Sequence, residues 1–74
     1  MVKSKSGGAV YRVTEIIGTS ATSWEDAAKN AVETAAKSLR DLRVAEIEEL
    51  DMKVENGKVV AYRARVSLSF KYEA

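Results

Sequence analysis

The sequence predicts an α+β fold: a β-α-β-β subunit in which a three-stranded antiparallel sheet, strand order 1-3-2, wraps one helix. Three observations predict it. Residues 59–72 alternate apolar and polar side chains, the period of a strand with one covered face. Asn56-Gly57 lies between two β-like runs, and this dipeptide favours the type I′ turn of a two-residue hairpin because both positions need positive φ. Residues 23–42 place apolar side chains at helical spacing ahead of that hairpin, which separates it from an earlier β-like run.

The first strand is expected over residues 9–17, AVYRVTEII, rich in β-branched side chains and tyrosine. Gly18-Thr19-Ser20 is expected to end it, with Gly18 supplying a positive φ for the exit. Ser23 then caps a helix. Its hydroxyl can accept from the amide three residues on, and Asp26 stands where a capping box places a reaching carboxylate. Glu25 and Asp26 also suit the positive end of the helix dipole. The apolar stripe runs through Trp24, Ala28, Ala31, Val32, Ala35, Leu39 and Leu42. It is mostly alanine, so the sheet can approach closely. Trp24 is expected as a core or interface plug at the first turn, with stacking on a ligand as the alternative.

A second strand is expected over residues 44–55 and a third over residues 59–72. Tyr62, Ala64, Val66, Leu68, Phe70 and Tyr72 fall on the face that covers the helix, and Arg63, Arg65, Ser67, Ser69 and Lys71 on the other. Counting outward from a Glu55–Lys58 pair puts Lys53 opposite Val60, Leu50 opposite Arg63, Glu48 opposite Arg65 and Glu46 opposite Ser67. A bulge would shift this register by one. Residues 1–8, MVKSKSGG, are expected as a flexible N-terminal tail, and residues 9–74 as the folded domain.

Composition narrows the function. A 74-residue chain buries too little surface to be comfortably stable alone, and such chains usually lean on disulfides, a metal or partner subunits. There is no cysteine or histidine, so disulfides and a zinc staple are out and oligomerisation is the remaining device. The same absences remove thiol nucleophiles and the Ser-His-Asp triad. No other residues pair a nucleophile with a base, so the chain is expected not to be an enzyme. A net charge of +1 is not the footprint of a nucleic-acid binder. No apolar run approaches the roughly 18 residues of a membrane span. The expected location is cytoplasmic.

The candidate site lies on the face the helix leaves bare. Glu46 and Glu48 share it with Arg63 and Arg65 on the two arms of one hairpin. Either they are solvated cross-strand ion pairs, or the face lines a cavity or interface between subunits, where it would bind a ligand, a cation or a neighbouring chain.

The opening YRVTEIIGTS (Tyr11 to Ser20), the helix start SWEDAA (Ser23 to Ala28), LRDL (Leu39 to Leu42) and the ending VSLSFKYE (Val66 to Glu73) are similar to those of the dodecins. The resemblance spans nearly everything after the tail. It implies a homododecamer forming a hollow shell that stores or sequesters a ligand: flavin at two-fold interfaces in many members, coenzyme A or cations in some. It also shows where this chain departs. Flavin-binding dodecins stack the isoalloxazine on a tryptophan early in the second strand, and Val44 stands there, followed by Ala45. A glutamine in the third strand hydrogen-bonds the flavin edge, and Arg63 stands there. Valine offers no stacking face and arginine accepts no hydrogen bond.

Flavin is therefore not expected to bind tightly, and the chain resembles dodecins that bind calcium instead. The expected ligand-binding residues are Val44, Glu46, Arg63 and Arg65. Glu46 and Glu48 are the candidate metal ligands, one carboxylate set per subunit multiplied by symmetry. The alternatives are a structural or interaction module with no small ligand, and a modified pocket that retains flavin or coenzyme A.

Overall fold

The computed structural model describes residues 9–71. The expected tail over residues 1–8 and the end of the third strand at Tyr72 lie outside the described residues. The element order is β1 (Tyr11–Ser20), α1 (Trp24–Ala36), β2 (Leu42–Glu55) and β3 (Lys58–Lys71). The strands form one antiparallel sheet in the order β1-β3-β2, as the alternation and the hairpin predict. Asn56 and Gly57 have φ of 52° and 74° and join β2 to β3 in the expected two-residue turn, with Glu55 paired to Lys58.

Three local expectations change. First, Gly18 does not end β1, which runs on to Ser20. Its glycine is required by the helix: a Cβ at this position would collide with the Ala27 carbonyl oxygen and lie 2.8 Å from the Ala31 Cβ. Gly18, Ala27 and Ala31 are thus the surface on which α1 touches β1.

Second, the helix stops at Ala36 rather than Leu42. Ser38 and Leu39 both donate their backbone N–H to the Ala35 carbonyl, at 3.0 and 2.9 Å, and Asp41 turns left-handed with φ 57°. That reversal delivers Leu42 into β2 opposite Phe70. Leu39 and Leu42 still reach the core edge, but Leu42 does so from a strand.

Third, the helix cap is only half a capping box. The Ser23 hydroxyl accepts from the Asp26 backbone N–H at 3.0 Å. The Asp26 carboxylate instead accepts from the Ser20 hydroxyl at 2.8 Å, and Ser20 Oγ accepts from the Thr22 and Ser23 amides at 2.9 and 3.4 Å. Ser20, a buried polar residue, therefore ties the strand end to the helix start and satisfies donors that a helix N-terminus leaves open.

The core is small. Its fully buried apolar residues are Ala27, Ala31, Ala64, Val66 and Leu68, with Ile16, Ala28, Val32, Ala35, Leu39 and Leu42 packed against it. A helix of 13 residues spans ~20 Å, whereas hairpin strands of 14 residues span ~46 Å. Much of β2 and the whole hairpin tip therefore lie beyond the helix. Ile47, Leu50, Met52, Val54, Val59 and Val60 remain exposed, and Ile47 and Leu50 line an open cleft of about 290 Å³ with Trp24, Glu25 and Ala28.

A Gly18→Ala substitution should cost about 1–3 kcal/mol, the usual range for overpacking a closed contact, because the colliding atom is backbone. Urea unfolding of both proteins at one protein concentration measures it. An unchanged midpoint would mean the helix does not sit this close.

Candidate functional site on the bare sheet face

The register of β2 against β3 decides which side chains share the bare face, and it departs from a simple count. One shift falls between Lys53 and Val54, where β3 gains a residue, a second between Ile47 and Glu49, where β2 gains Glu48, and a third between Leu42 and Val44, where β2 gains Arg43. The first two compensate. Between them Asp51, not Leu50, stands opposite Arg63, and Glu49, not Glu48, stands opposite Arg65; Lys53 pairs with Ala61 rather than Val60. Glu46 faces Ser67 as expected.

The physical reason is the apolar pattern of Ile47-Glu48-Glu49-Leu50. Strict alternation would put Ile47 and Leu50 on opposite faces. A bulge at Glu48 lets both point to the helix side, where they pair with Val66 and Ala64. The spacing of three between two aliphatic residues inside a strand was the available sequence signal for this bulge.

The bare face then consists of rows running across β1, β3 and β2: Thr19, Arg63 and Asp51; Ile17, Arg65 and Glu49; Glu15, Ser67 and Glu46; Val13, Ser69 and Val44. Arg63 grips Asp51 with two parallel hydrogen bonds, Nε to Oδ1 at 2.7 Å and Nη2 to Oδ2 at 2.8 Å. This is the bidentate fork that makes arginine–carboxylate pairs directional. Arg65 spans the sheet, reaching Glu15 at 3.7 Å on one side and Glu49 at 3.5 Å on the other. Asp51 and Glu49 are the site residues that plain counting missed.

Asp51 has a second role through its backbone. Its carbonyl accepts from the Trp24 indole N–H at 2.9 Å, and the Trp24 ring meets Tyr62 edge-on, with centroids 5.1 Å apart. Trp24 is therefore a plug that fastens the start of α1 to the hairpin, and it faces away from the ion-paired surface.

The expected ligand-binding residues Val44, Glu46, Arg63 and Arg65 all lie on this face, but they do not form one pocket. Val44 pairs with Ser69, six positions from Arg63 along β3, or ~20 Å at strand rise. Val44 is 55% exposed and shares its row with Val13, with Ser69 between them. Of the candidate metal ligands, Glu46 makes no ion pair among the described residues, and Glu48 sits in the bulge rather than opposite Arg65. Among the described residues no three acidic side chains converge on a point that could hold a metal ion. No helix among them is long and apolar enough to cross a membrane.

The hydrogen bonds from Arg63 hold the Asp51 carboxyl below its ordinary value of 3.8, aided by the charges of Arg63 and Arg65 and opposed by partial desolvation. A depressed folded value means the pair stabilises the fold above 3.8 and loses that contribution as pH falls through the folded value. Carboxyl NMR should show Asp51 titrating below 3.8 and returning to the ordinary range in Arg63→Ala. An unmoved midpoint in that variant would remove Arg63 as the cause.

The family model described as Dodecin matches residues 10–73. The calcium dodecin of Mycobacterium tuberculosis (strain ATCC 25618 / H37Rv) is 50% identical over 62 residues, covering 84% of this chain and 87% of that protein. The crystal structure of the same calcium-chelating dodecin, described with a novel calcium-binding site, superposes with a TM-score of 0.78 over 88% of this chain and 93% of that one. Dodecin from Streptomyces coelicolor superposes with a TM-score of 0.84 at 35% identity, covering 89% and 94% of the two chains. A match over residues 10–73, at this level of identity, makes the chain a member of the dodecin family.

Proposed function

We propose that the chain is the subunit of a hollow homododecamer that binds and stores a small ligand or cation without chemical turnover, with calcium as its leading ligand. The observation that carries this reading is the bare sheet face. Charged rows there lie beside half-exposed Val13, Ile17 and Val44, and the one helix of the described chain is on the other side. A second copy is the natural cover for such a face, since the core of one chain is too small to leave it idle.

The distribution of charge supports a cation. Arg63 is engaged by Asp51, and Arg65 by Glu15 and Glu49. Both guanidiniums nearest the site are thus neutralised by other carboxylates. Glu46 is left to act as a ligand, in a row with the Ser67 hydroxyl and Glu15. Calcium takes 6–8 oxygens, more than one chain gathers here, so copies related by symmetry complete the shell, with Glu48 from the bulge as a further donor. The half-identical calcium dodecin supports the same ion.

The flavin side of the reading follows from Val44 and Arg63. An aliphatic side chain provides no stacking surface, and Arg63 is committed to Asp51. Flavin is proposed to bind weakly. Within the same reading the shell is cytoplasmic, which fits a chain without cysteine.

Sedimentation should show a stable dodecamer, and a monomer would overturn the proposal at its root. Equilibrium dialysis against calcium, flavin mononucleotide and coenzyme A should show saturable calcium uptake that falls several-fold or more in Glu46→Gln. A dodecamer that takes up none of the three would instead be a structural module.

Val44→Trp combined with Arg63→Gln should gain flavin binding, read as quenched flavin fluorescence. No gain would mean that the pocket differs beyond these two positions.

A further inference from the structure

The tip of the β2–β3 hairpin carries a chemistry that ligand binding does not use. Asn56 and Gly57 are both exposed and both left-handed, with φ of 52° and 74°. Among the described residues no hydrogen bond holds the Asn56 side-chain amide. Nothing packs on Gly57, where even an added Cβ would meet no atom within 4 Å. The chain's other asparagine is an internal contrast. Asn30 lies inside α1 and donates its Nδ2 to the Thr19 carbonyl at 3.1 Å.

We propose that Asn56 is a site of spontaneous, backbone-assisted deamidation and that its conversion ages the hairpin. The Gly57 backbone nitrogen loses its proton to hydroxide and attacks the Asn56 Cγ. The new N–Cγ bond forms as the Cγ–Nδ2 bond breaks, and the side-chain nitrogen leaves as ammonia with a proton taken from water. The resulting five-membered imide adds water. Opening at the Cγ–N bond leaves aspartate at position 56; opening at the main-chain carbonyl leaves a β-linked isoaspartate. No oxidant or cofactor is involved. Glycine matters because it puts no side chain beside the attacking nitrogen. Ring closure requires Asn56 to rotate out of the turn, and an exposed two-residue tip is where local opening is cheapest.

The two products affect the fold differently. Both add a negative charge beside Glu55, which is already engaged by Lys53 at 3.5 Å, and take the formal net charge from +1 to zero. Aspartate keeps the backbone length and tolerates the left-handed conformation. Isoaspartate inserts a methylene into a two-residue turn that sets the register, so the pairs Glu55–Lys58 and Val54–Val59 are the first to be lost.

Full-length protein held in warm, mildly alkaline buffer and mapped by peptide mass spectrometry tests this. The expected result is amide-to-acid conversion at Asn56, with isoaspartate present, while Asn30 stays intact. Gly57→Ala should slow the conversion several-fold although its positive φ strains the turn; faster conversion in that variant would overturn the Gly57 route. Aged protein should exchange the Val54 and Val59 amides faster than Asn56→Asp does, and equal exchange would overturn the ageing effect. Conversion only in urea, or equally at both asparagines, would overturn Asn56 as a site in the native protein.

Discussion

The contact between Gly18 on β1 and Ala27 and Ala31 on α1 governs how the rest of the chain is arranged. A missing Cβ lets the helix lie against the strand itself. The consequence is a core made of small groups, with three alanines among its five fully buried apolar residues. Burial of aliphatic carbon contributes about 0.8 kcal/mol per methylene, so alanines stabilise far less than the leucines a more distant helix would need. A close helix also has a narrow footprint. It seats over β1 and β3 and leaves most of β2 without intrachain cover. The close, narrow contact leaves Ile47 and Leu50 of β2 half-covered, while the exposed aliphatic residues of the hairpin tip lie beyond the reach of the short helix.

The paired bulges in the hairpin resolve a conflict that this arrangement creates. The helix side of β2 needs Ile47 and Leu50, and the bare side needs carboxylates opposite Arg63 and Arg65. Regular alternation cannot satisfy both with the residues present, because it would set Leu50 against Arg63. Adding Glu48 to β2 and a residue to β3 returns the pairs from Val44 to Ile47 to the register set at the turn, and a further shift falls only between Val44 and Leu42. Leu50 and Met52 of β2 go to the helix side, and Asp51 and Glu49 go to the arginines. The bidentate Arg63–Asp51 pair then shares a residue with the Trp24 indole, so the charged face and the helix cap are tied to one point on β2.

These particulars show what was legible in the residues. The Asn-Gly turn and the clean alternation of β3 are readable because each rests on local stereochemistry or on a period that a single strand displays by itself, and the sheet order follows from the long, regular β3 taking the centre. The bulges were not, because a register is a property of two strands, although the spacing of Ile47 and Leu50 marked one of them. The helix end was hidden for a different reason. Leu39 and Leu42 continue the helical spacing, and the left-handed reversal falls on Asp41, with no glycine to mark it. Gly18 reads as a turn residue because a glycine's two uses, positive φ and close approach, look the same in sequence. Of the site, the four residues proposed to bind ligand share one face as read, while their partners Asp51 and Glu49 emerged only with the true register.

The separation of Val44 from Arg63 bears on where any ligand can sit. Two positions that the family resemblance assigns to one binding site are ~20 Å apart along the sheet of a single chain, and both point to the same side. Rigid strands cannot bring them together. They meet only if a second sheet is laid face to face in the opposite sense, so that Val44 of one copy approaches Arg63 of the other. The same logic holds for a cation: a free Glu46 in each copy becomes a multi-carboxylate site only where copies converge. A row in which Ser69 separates two exposed valines, beside a charged row, fits this kind of two-fold contact, in which each copy offers what the other lacks. On the proposed dodecamer, ligand choice would follow from how subunits meet, and substitutions at Val44 and Arg63 would act on an interface as much as on a pocket.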